Sequence, residues 1–329
     1  MNTITEREPI RPAGRAGRPM CPVCGRDGCG QTSIMSMCFR VESPWPTRDQ
    51  RAWLHFKDGA ERTISPSRRI YAPPPIAPID VRNDVYRYVL RSLDLSPHHR
   101  DQLRNIRSLS DDTIDANDYR SIPHYAITRE LVSEISRDFD LNLMPGFYRT
   151  SSEWALRWGA RSGIIIPIRD EFGRIQALQV RNDSPGHKHE RYKMVSTSGL
   201  PQGASSRMPA HYAHPERAEQ GIVITEGALK ADVIAELMRN PAPCVVGLAS
   251  VGTFSFQFGW ELRQALPNLT RVGLAYDNDR FSNPHVETQH ARLRATLDNA
   301  GIENSPLNWN RQFKGLDDYL IASSSRGTS

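Results

Sequence analysis

The apolar residues of the chain are spaced first at helical and then at strand intervals. Between residues 81 and 144 the spacing is helical. The stretch DVYRYVLRSLDL places five apolar side chains on one face of a helix: Val85, Tyr86, Val89, Leu90 and Leu93. A second stretch, TRELVSEISRDFDL, begins with threonine, a residue type that caps helix N-termini. The pattern therefore predicts a helical segment.

Downstream of residue 146 the pattern becomes that of a mixed α/β protein. SGIIIPIRDEFGRIQALQVRND predicts two strands joined by a turn around residues 171–173. Three apolar runs then alternate with helical stretches: GIVIT with ALKADVIAELMRN, CVVGLAS with FGWELRQAL, and RVGLAYD with VETQHARLRATLDNAG. Strands and helices that alternate in this way imply right-handed crossovers and a mainly parallel sheet. The predicted fold class is therefore α/β.

Length and charge favour a globular protein that binds a polyanion. The 329 residues suffice to bury a sizeable core. The net charge of +5 comes from the front of the chain, because residues 1–75 hold 12 Lys+Arg against 7 Asp+Glu and the remainder holds 30 of each. A basic front end favours a polyanion-binding module. No apolar run approaches the roughly 18 residues of a membrane span, so we expect a cytoplasmic protein with no membrane partner.

Acidic residues stand at the predicted ends of two strands. Glu226 ends one of them, and Asp277 and Asp279 end another. Because the carboxyl ends of parallel strands line the crevice of such sheets, these carboxylates are predicted to meet. Together they can hold Mg²⁺ or Mn²⁺, which serves phosphoryl chemistry. For Glu226 alone, helix capping explains the residue equally well, and the joint occurrence favours a metal site.

Four of the five cysteines lie between residues 21 and 38, at the spacing Cys-x2-Cys-x4-Cys-x8-Cys. This clustering favours metal binding in a reducing compartment over a disulfide framework. The predicted ligands of a structural Zn²⁺ are Cys21, Cys24, Cys29 and Cys38. His55 is an alternative to either of the last two cysteines. A zinc-stabilised domain without a role in nucleic-acid binding is the other interpretation.

Several motifs resemble known domains. VITEGALKAD followed by VGLAYDNDR resembles the Toprim domain of bacterial primases, topoisomerases and related nucleases. SGIIIPIRDEFGRIQALQVRND with ERYKMVSTSG resembles the N-terminal subdomain of the replicative primase core. EGALKAD, LASVGTF and KGLDDYL are more similar to Toprim-like, primase-related proteins of phages, plasmids and integrative elements. CFRVES and RAWLHF are similar to the zinc ribbon of the same proteins.

The resemblance implies roles for individual residues. Glu226, Asp277 and Asp279 would be catalytic and would hold Mg²⁺, with Asp318 of GLDDYL as a further ligand. The residues that would bind nucleotide or nucleic acid are Arg181, Arg191, Lys193, Lys230 and Lys314.

The chain departs from the replicative primases at Lys230, where those proteins carry an aspartate, and at GLDDYL, where they carry Asp-Pro-Asp. Which further carboxylate enters the site stays open at this point; the candidates are Asp232, Asp317 and Asp318.

The resemblance covers residues 81–322 and fixes most of the predicted domain boundaries. In chain order they are a disordered tail (1–20), a zinc ribbon (21–71), a Pro-rich linker (72–80), a helical segment (81–145), a primase-like N-terminal subdomain (146–215), a Toprim domain (216–322) and a disordered tail (323–329).

As a function, the resemblance implies a DNA primase-like nucleotidyltransferase of a mobile element, which uses nucleotide triphosphates on a single-stranded DNA template. The sequence has no G-x-x-x-x-G-K-[ST] motif, so a separate replicative helicase is the expected partner for unwinding. Two alternatives stay open. One is a Toprim metal-dependent nuclease, and the other is a non-catalytic nucleic-acid-binding replication module in which Lys230 has taken a metal position.

Overall fold

The chain divides into two compact units, residues 1–73 and residues 74–329. The computed structural model describes residues 11–12, 19–25, 29–32, 35–38, 41, 43, 52–56, 74–187, 190–238, 241–250, 252–255 and 258–324. The predicted tails at residues 1–20 and 323–329 fall largely outside these ranges, as does much of the predicted zinc ribbon.

The first unit contains a small antiparallel sheet. Its strands, in both chain and sheet order, are β1 (Arg11–Pro12), β2 (Gly30–Gln31), β3 (Met35–Cys38) and β4 (Trp53–Phe56). The register pairs Cys38 with Trp53, and both side chains are buried. A sheet this small has little apolar core of its own.

The second unit opens with the helical segment that the sequence predicts. The segment consists of α1 (Ile79–Arg91), α2 (Pro97–Asp101), a π-helical turn (Gln102–Ile106), α3 (Asp111–Ala116) and α4 (Tyr125–Asp138). Side-chain caps begin three of these helices: Ser96 Oγ accepts from the His99 amide, Ser110 Oγ from the Thr113 amide, and His124 Nδ1 from the Ala126 amide. The threonine predicted to cap α4 instead lies inside the helix, which begins three residues earlier. The predicted apolar face of α1 is buried and contributes to the core beside α4.

An antiparallel sheet of four strands follows, in the order β10-β9-β8-β5. Its strands are β5 (Arg120–Ser121), β8 (Gly163–Arg169), β9 (Ile175–Asn182) and β10 (Tyr192–Met194), and a separate hairpin joins β6 (Phe147–Arg149) to β7 (Trp154–Leu156). The two strands predicted from SGIIIPIRDEFGRIQALQVRND are therefore confirmed as β8 and β9.

A second, five-stranded sheet has the order β11-β13-β12-β14-β15. Its elements are β11 (His211–Ala213), β12 (Ile222–Glu226), α5 (Ala228–Leu237), β13 (Cys244–Leu248), α6 (Phe258–Ala265), β14 (Arg271–Ala275), α7 (Pro284–Asn299), β15 (Glu303–Pro306) and α8 (Leu316–Ser324), with 3-10 turns at Pro215–Gln220 and Asn278–Phe281. All neighbouring pairs are parallel except β11 with β13. The prediction of an α/β fold with a mainly parallel sheet is confirmed.

Alternate residues of the five-stranded sheet contribute to two cores. Ile222 and Ile224 of β12 belong to a cluster with α6 and α7, whereas Val223 belongs to a cluster with α5 and α8. Helices therefore cover both faces of the sheet, which leaves its strand ends as the accessible edge. None of the helices among the described residues has both the length and the apolarity of a membrane span.

Candidate active site

Two carboxylates meet where the parallel strands β12 and β14 end. The strands are neighbours, with Thr225 opposite Ala275. Glu226 is the last residue of β12, and Asp277 follows β14 by two residues. Because neighbouring parallel strands end at the same edge of a sheet, both side chains line one cavity of about 350 Å³. The structure thus brings Glu226 and Asp277 together.

The backbone after Glu226 makes a sharp change of direction that glycine permits. Gly227 has φ +88°, a conformation that L side chains rarely adopt, and α5 begins at the next residue. A second glycine lies beneath it, because a Cβ on Gly247 would stand 2.7 Å from the Gly227 carbonyl oxygen. Both glycines are needed for the strand to end in a helix at the cavity.

The start of α8 brings two further carboxylates to the cavity, those of Asp317 and Asp318. Asp318 Oδ2 accepts a hydrogen bond from the Gly315 amide at 3.3 Å. The Asp317 side chain is 1 % exposed. A Cβ on Gly315 would collide with Asp317 Oδ1, so the loop approaches the cavity too closely for any side chain at that position. Of the three candidates for a further carboxylate, these two line the cavity.

The third candidate, Asp232, is used elsewhere. Its carboxylate lies in the core, 4 % exposed, where Tyr119 Oη donates to Oδ2. His211 Nε2 lies 3.0 Å from Oδ1, and His211 Nδ1 accepts from the Arg169 amide. Because Nδ1 is an acceptor, Nε2 carries the proton and donates to Asp232. Asp232 therefore belongs to a buried Tyr119–Asp232–His211 network.

Two lysines neutralise the central carboxylate. Lys230 Nζ, from the first turn of α5, lies 2.5 Å from Asp277 Oδ1, and Lys314 Nζ lies 3.0 Å from Asp277 Oδ2. Lys230 Nζ is also 3.9 Å from Asp317 Oδ1. The Lys230 side chain is 26 % exposed, so most of it is removed from solvent.

An arginine that the sequence did not single out also reaches the cavity. Arg107 follows the π-helical turn and donates to Asp317 Oδ2 at 3.3 Å. No sequence motif surrounds Arg107 in the helical segment, so nothing in the sequence indicated that it lies beside α8. The segment therefore contributes to the cavity as well as to the core.

Burial and charge pull against each other at these ionisable groups. Burial lowers the pKa of Lys230, but the negative charges of Asp277 and Asp317 outweigh it and leave that pKa above its ordinary value. Burial raises the pKa of the Asp317 carboxyl, although Lys230 works in the opposite direction. Lys230 is thus a cation held in place by the acids around it.

The other predicted binding residues take different positions. Arg191 lines the cavity with its neighbour Tyr192. Arg181 Nη1 donates to Gln102 Oε1 at 2.7 Å, and Lys193 Nζ lies 3.4 Å from Glu190 Oε1; neither lines the cavity. The side chain of Asp279 lies outside the described residues, so its predicted role stays a prediction.

The four clustered cysteines converge in the first unit. Their sulfur atoms all lie within 4.8 Å of one another, which fits a tetrahedral Zn²⁺ with four thiolate ligands. The Val41 amide donates to Cys38 Sγ at 3.3 Å and so reduces the negative charge of that sulfur. His55 Nε2 lies 2.9 Å from the Val41 carbonyl oxygen, and the sulfur set is complete without it. The structure supports the four predicted zinc ligands.

The cavity offers oxygen donors of the kind that Mg²⁺ prefers, on Glu226, Asp277 and Asp318. Both oxygens of Asp277 already contact ammonium groups. The donor set therefore fits a divalent ion only in part, because Lys230 and Lys314 already contact Asp277.

Comparisons with known proteins show the fold. No family model matches the sequence, and no curated protein does. The zinc-binding and RNA polymerase domains of Aquifex aeolicus primase have a TM-score of 0.55 and 15 % identity, over 77 % of this chain. The E. coli primase catalytic core has 0.51 and 15 %, over 74 % of this chain and 75 % of its own. A DNA primase domain from Pseudomonas aeruginosa has 0.50 and 14 %, over 75 % and 77 %.

These likenesses confirm the predicted primase-like fold. The chain spans 60 % of the length of the Aquifex aeolicus chain, so it corresponds to part of that protein. At such low identity a likeness concerns the backbone and not the chemistry of the site. The chain therefore has the fold of the bacterial primase catalytic core, with a four-cysteine cluster near its N-terminus.

Proposed function

We propose that the protein is a DNA primase-like Toprim protein of a mobile element that catalyses metal-dependent nucleotidyl transfer on single-stranded DNA. One observation carries the proposal: Glu226 and Asp277 end neighbouring parallel strands and line a single cavity within a primase fold. Acidic strand ends of this kind suit chemistry at a phosphate centre.

In this proposal Glu226, Asp277 and Asp318 would hold Mg²⁺ or Mn²⁺, together with Asp279. The ion, when bound, would neutralise the phosphate oxygens of a nucleotide triphosphate. Arg191 lies at the same cavity, is exposed, and would contact the nucleotide or the template. The exposed Tyr192 beside it offers a ring on which a base can stack.

The first unit would engage the single-stranded template. The basic excess of residues 1–75 and the zinc-type cysteine cluster support this part of the proposal. Arg181 and Lys193 would contact nucleic acid only after leaving their present partners, Gln102 and Glu190. A separate helicase would supply single-stranded DNA.

Primer synthesis on single-stranded DNA with labelled nucleotides tests the proposal. The wild-type protein is expected to extend products, and Asp277→Asn/Asp279→Asn is expected to make none. Glu134→Gln/Asp138→Asn serves as the matched control, because it also removes two charges, from exposed positions on α4. Product from the double cavity variant, or none from the wild type with Mg²⁺ or Mn²⁺, would refute nucleotidyl transfer by this site.

A second candidate function is a non-catalytic nucleic-acid-binding module. The contacts of Lys230 and Lys314 with Asp277 favour it, because they occupy a carboxylate that catalysis would need for metal. DNA binding that is unchanged in Glu226→Gln, with no synthesis by the wild type, would support this candidate. Cleavage of a labelled strand without nucleotides would instead indicate a nuclease.

A further inference from the structure

Three polar atoms of the cavity converge on one point. A Cβ on Gly315 would lie 3.2 Å from Lys230 Nζ and 3.3 Å from Asp277 Oδ1, and it would collide with Asp317 Oδ1. The ammonium group therefore stands between two carboxylates that come from different elements, the end of β14 and the start of α8. In a metal site, the cation between two such carboxylates is usually a divalent ion.

The charges of the cavity balance without an added ion. Among the described residues that line it, four are acidic: Glu226, Asp277, Asp317 and Asp318. Four are basic: Arg107, Arg191, Lys230 and Lys314. Buried carboxylates that lack a counter-charge are costly, so the cations are required for these acids to be ionised together.

We propose that the Lys230 ammonium is a resident cation that replaces a divalent ion between Asp277 and Asp317, so that the cavity binds at most a single divalent ion. Lys230 contacts Asp277 at 2.5 Å and lies 3.9 Å from Asp317, whereas Lys314 contacts Asp277 alone of these two and is 49 % exposed. Lys230 is therefore the substitute for the ion, and Lys314 screens Asp277 from the solvent side. The inference rests on the proposed function in one respect, which is that a divalent ion binds in the cavity at all.

Mn²⁺ binding to the zinc-loaded full chain, measured by electron paramagnetic resonance without nucleotide or DNA, tests the inference. The wild type is expected to bind at most a single Mn²⁺ in the cavity. Lys230→Met is expected to bind Mn²⁺ about tenfold more tightly or to bind an additional ion, because a positive charge that contacts Asp277 and lies near Asp317 is removed. Lys314→Met is expected to give a smaller gain, since that side chain is half exposed.

Two control variants show whether an effect on Mn²⁺ binding comes from loss of the charge at position 230 or from loss of any positive charge. Lys230→Arg keeps the charge and is expected to bind Mn²⁺ as the wild type does. Arg294→Met removes a positive charge on α7, where Arg294 contacts Asn304 outside the cavity. Equal Mn²⁺ binding by wild type and Lys230→Met, or a gain in Lys314→Met that matches or exceeds that of Lys230→Met, would overturn the inference.

The Mn²⁺ measurement and primer synthesis fail independently. If no primers form but the Mn²⁺ affinities follow the expected order, the proposed function is refuted and the inference stands. If primers form and Lys230→Met leaves Mn²⁺ binding unchanged, the inference is refuted and the function stands. Circular dichroism melting of each variant identifies one that does not fold. If Lys230→Met does not fold, the wild type alone still tests the inference, because a count above one Mn²⁺ in its cavity would overturn it.

Discussion

Replacement of Tyr119 by phenylalanine tests how the core holds a buried charge. Tyr119 and Tyr86 are both fully buried tyrosines, and each donates its hydroxyl hydrogen to one acceptor. The acceptor of Tyr119 is the Asp232 carboxylate, whereas the acceptor of Tyr86 is the backbone carbonyl of Pro145. The two substitutions therefore remove the same atom from buried positions, and the main difference between them is the charge of the acceptor left behind. Tyr119 also has a side-chain hydrogen bond with Asn117.

The expected free-energy costs follow from that difference. A hydrogen bond to a charged group contributes about 1.5–3 kcal/mol, and one between neutral groups contributes about 0.5–1.5 kcal/mol. Tyr119→Phe leaves a carboxylate with His211 as its one donor in the network, so we expect the upper end, about 3 kcal/mol. For Tyr86→Phe we expect about 1 kcal/mol.

Differential scanning calorimetry of the full chain measures both variants. In a unit the size of residues 74–329, each kcal/mol lowers Tm by about 2–4 °C, so Tyr119→Phe should lower Tm by about 6–12 °C and Tyr86→Phe by about 2–4 °C. Equal shifts would contradict the assignment of Asp232 as an ionised acceptor. A larger shift for Tyr86→Phe would contradict it as well.

Three further predictions concern the cysteines and the tyrosines. Purified protein should contain a single zinc ion by atomic absorption, which Cys24→Ser should remove and Cys244→Ser should retain, because Cys244 is buried in β13 and outside the cluster. Zinc retained by Cys24→Ser would contradict the assigned ligands. Burial raises the pKa of four tyrosines above the ordinary value, so the unfolded state binds fewer protons at high pH and stability is lost as pH rises through about 10. Absorbance at 295 nm should therefore show these side chains ionising only as the chain unfolds, and their ionisation in the folded chain would contradict the burial; they are Tyr86, Tyr119, Tyr212 and Tyr276. Burial also raises the pKa of the Cys244 thiol to about 12, so alkylation of that thiol should require unfolding.

Period and topology made much of the fold predictable. The alternation of apolar strands with helical stretches predicted a mainly parallel sheet, because a helix between two strands returns the chain to the end of the sheet where the first strand began. Parallel strands end at the same edge of a sheet, and Glu226 and Asp277 line one cavity there because β12 and β14 are neighbours. The cysteine spacing likewise allowed a four-sulfur site to be predicted without knowledge of the surrounding backbone.

The remaining features depend on contacts that sequence spacing does not encode. Arg107 lies 210 residues from Asp317 in the chain, and no motif marks it. The predicted boundary at residue 145 separated the helical segment from the sheets, yet Leu103, Ile114 and Tyr119 share a core with β8 and α5. Side chains from distant segments pack into one core, so local periodicity could not show that this segment helps to form the cavity.

Helix α5 explains how the cavity and the core depend on each other. Lys230 and Asp232 are two positions apart, so they project from roughly opposite sides of a helix with about 3.6 residues per turn. Lys230 contacts Asp277 in the cavity, and Asp232 is hydrogen-bonded to Tyr119 and His211 in the core. The helix is therefore held on one side by the buried network and on the other by Asp277. An aspartate at position 230 would change the four acidic and four basic side chains of the described cavity lining to five and three, an excess of two negative charges. Lys230 instead keeps this described lining in balance, and its charge reduces the repulsion between Asp277 and Asp317.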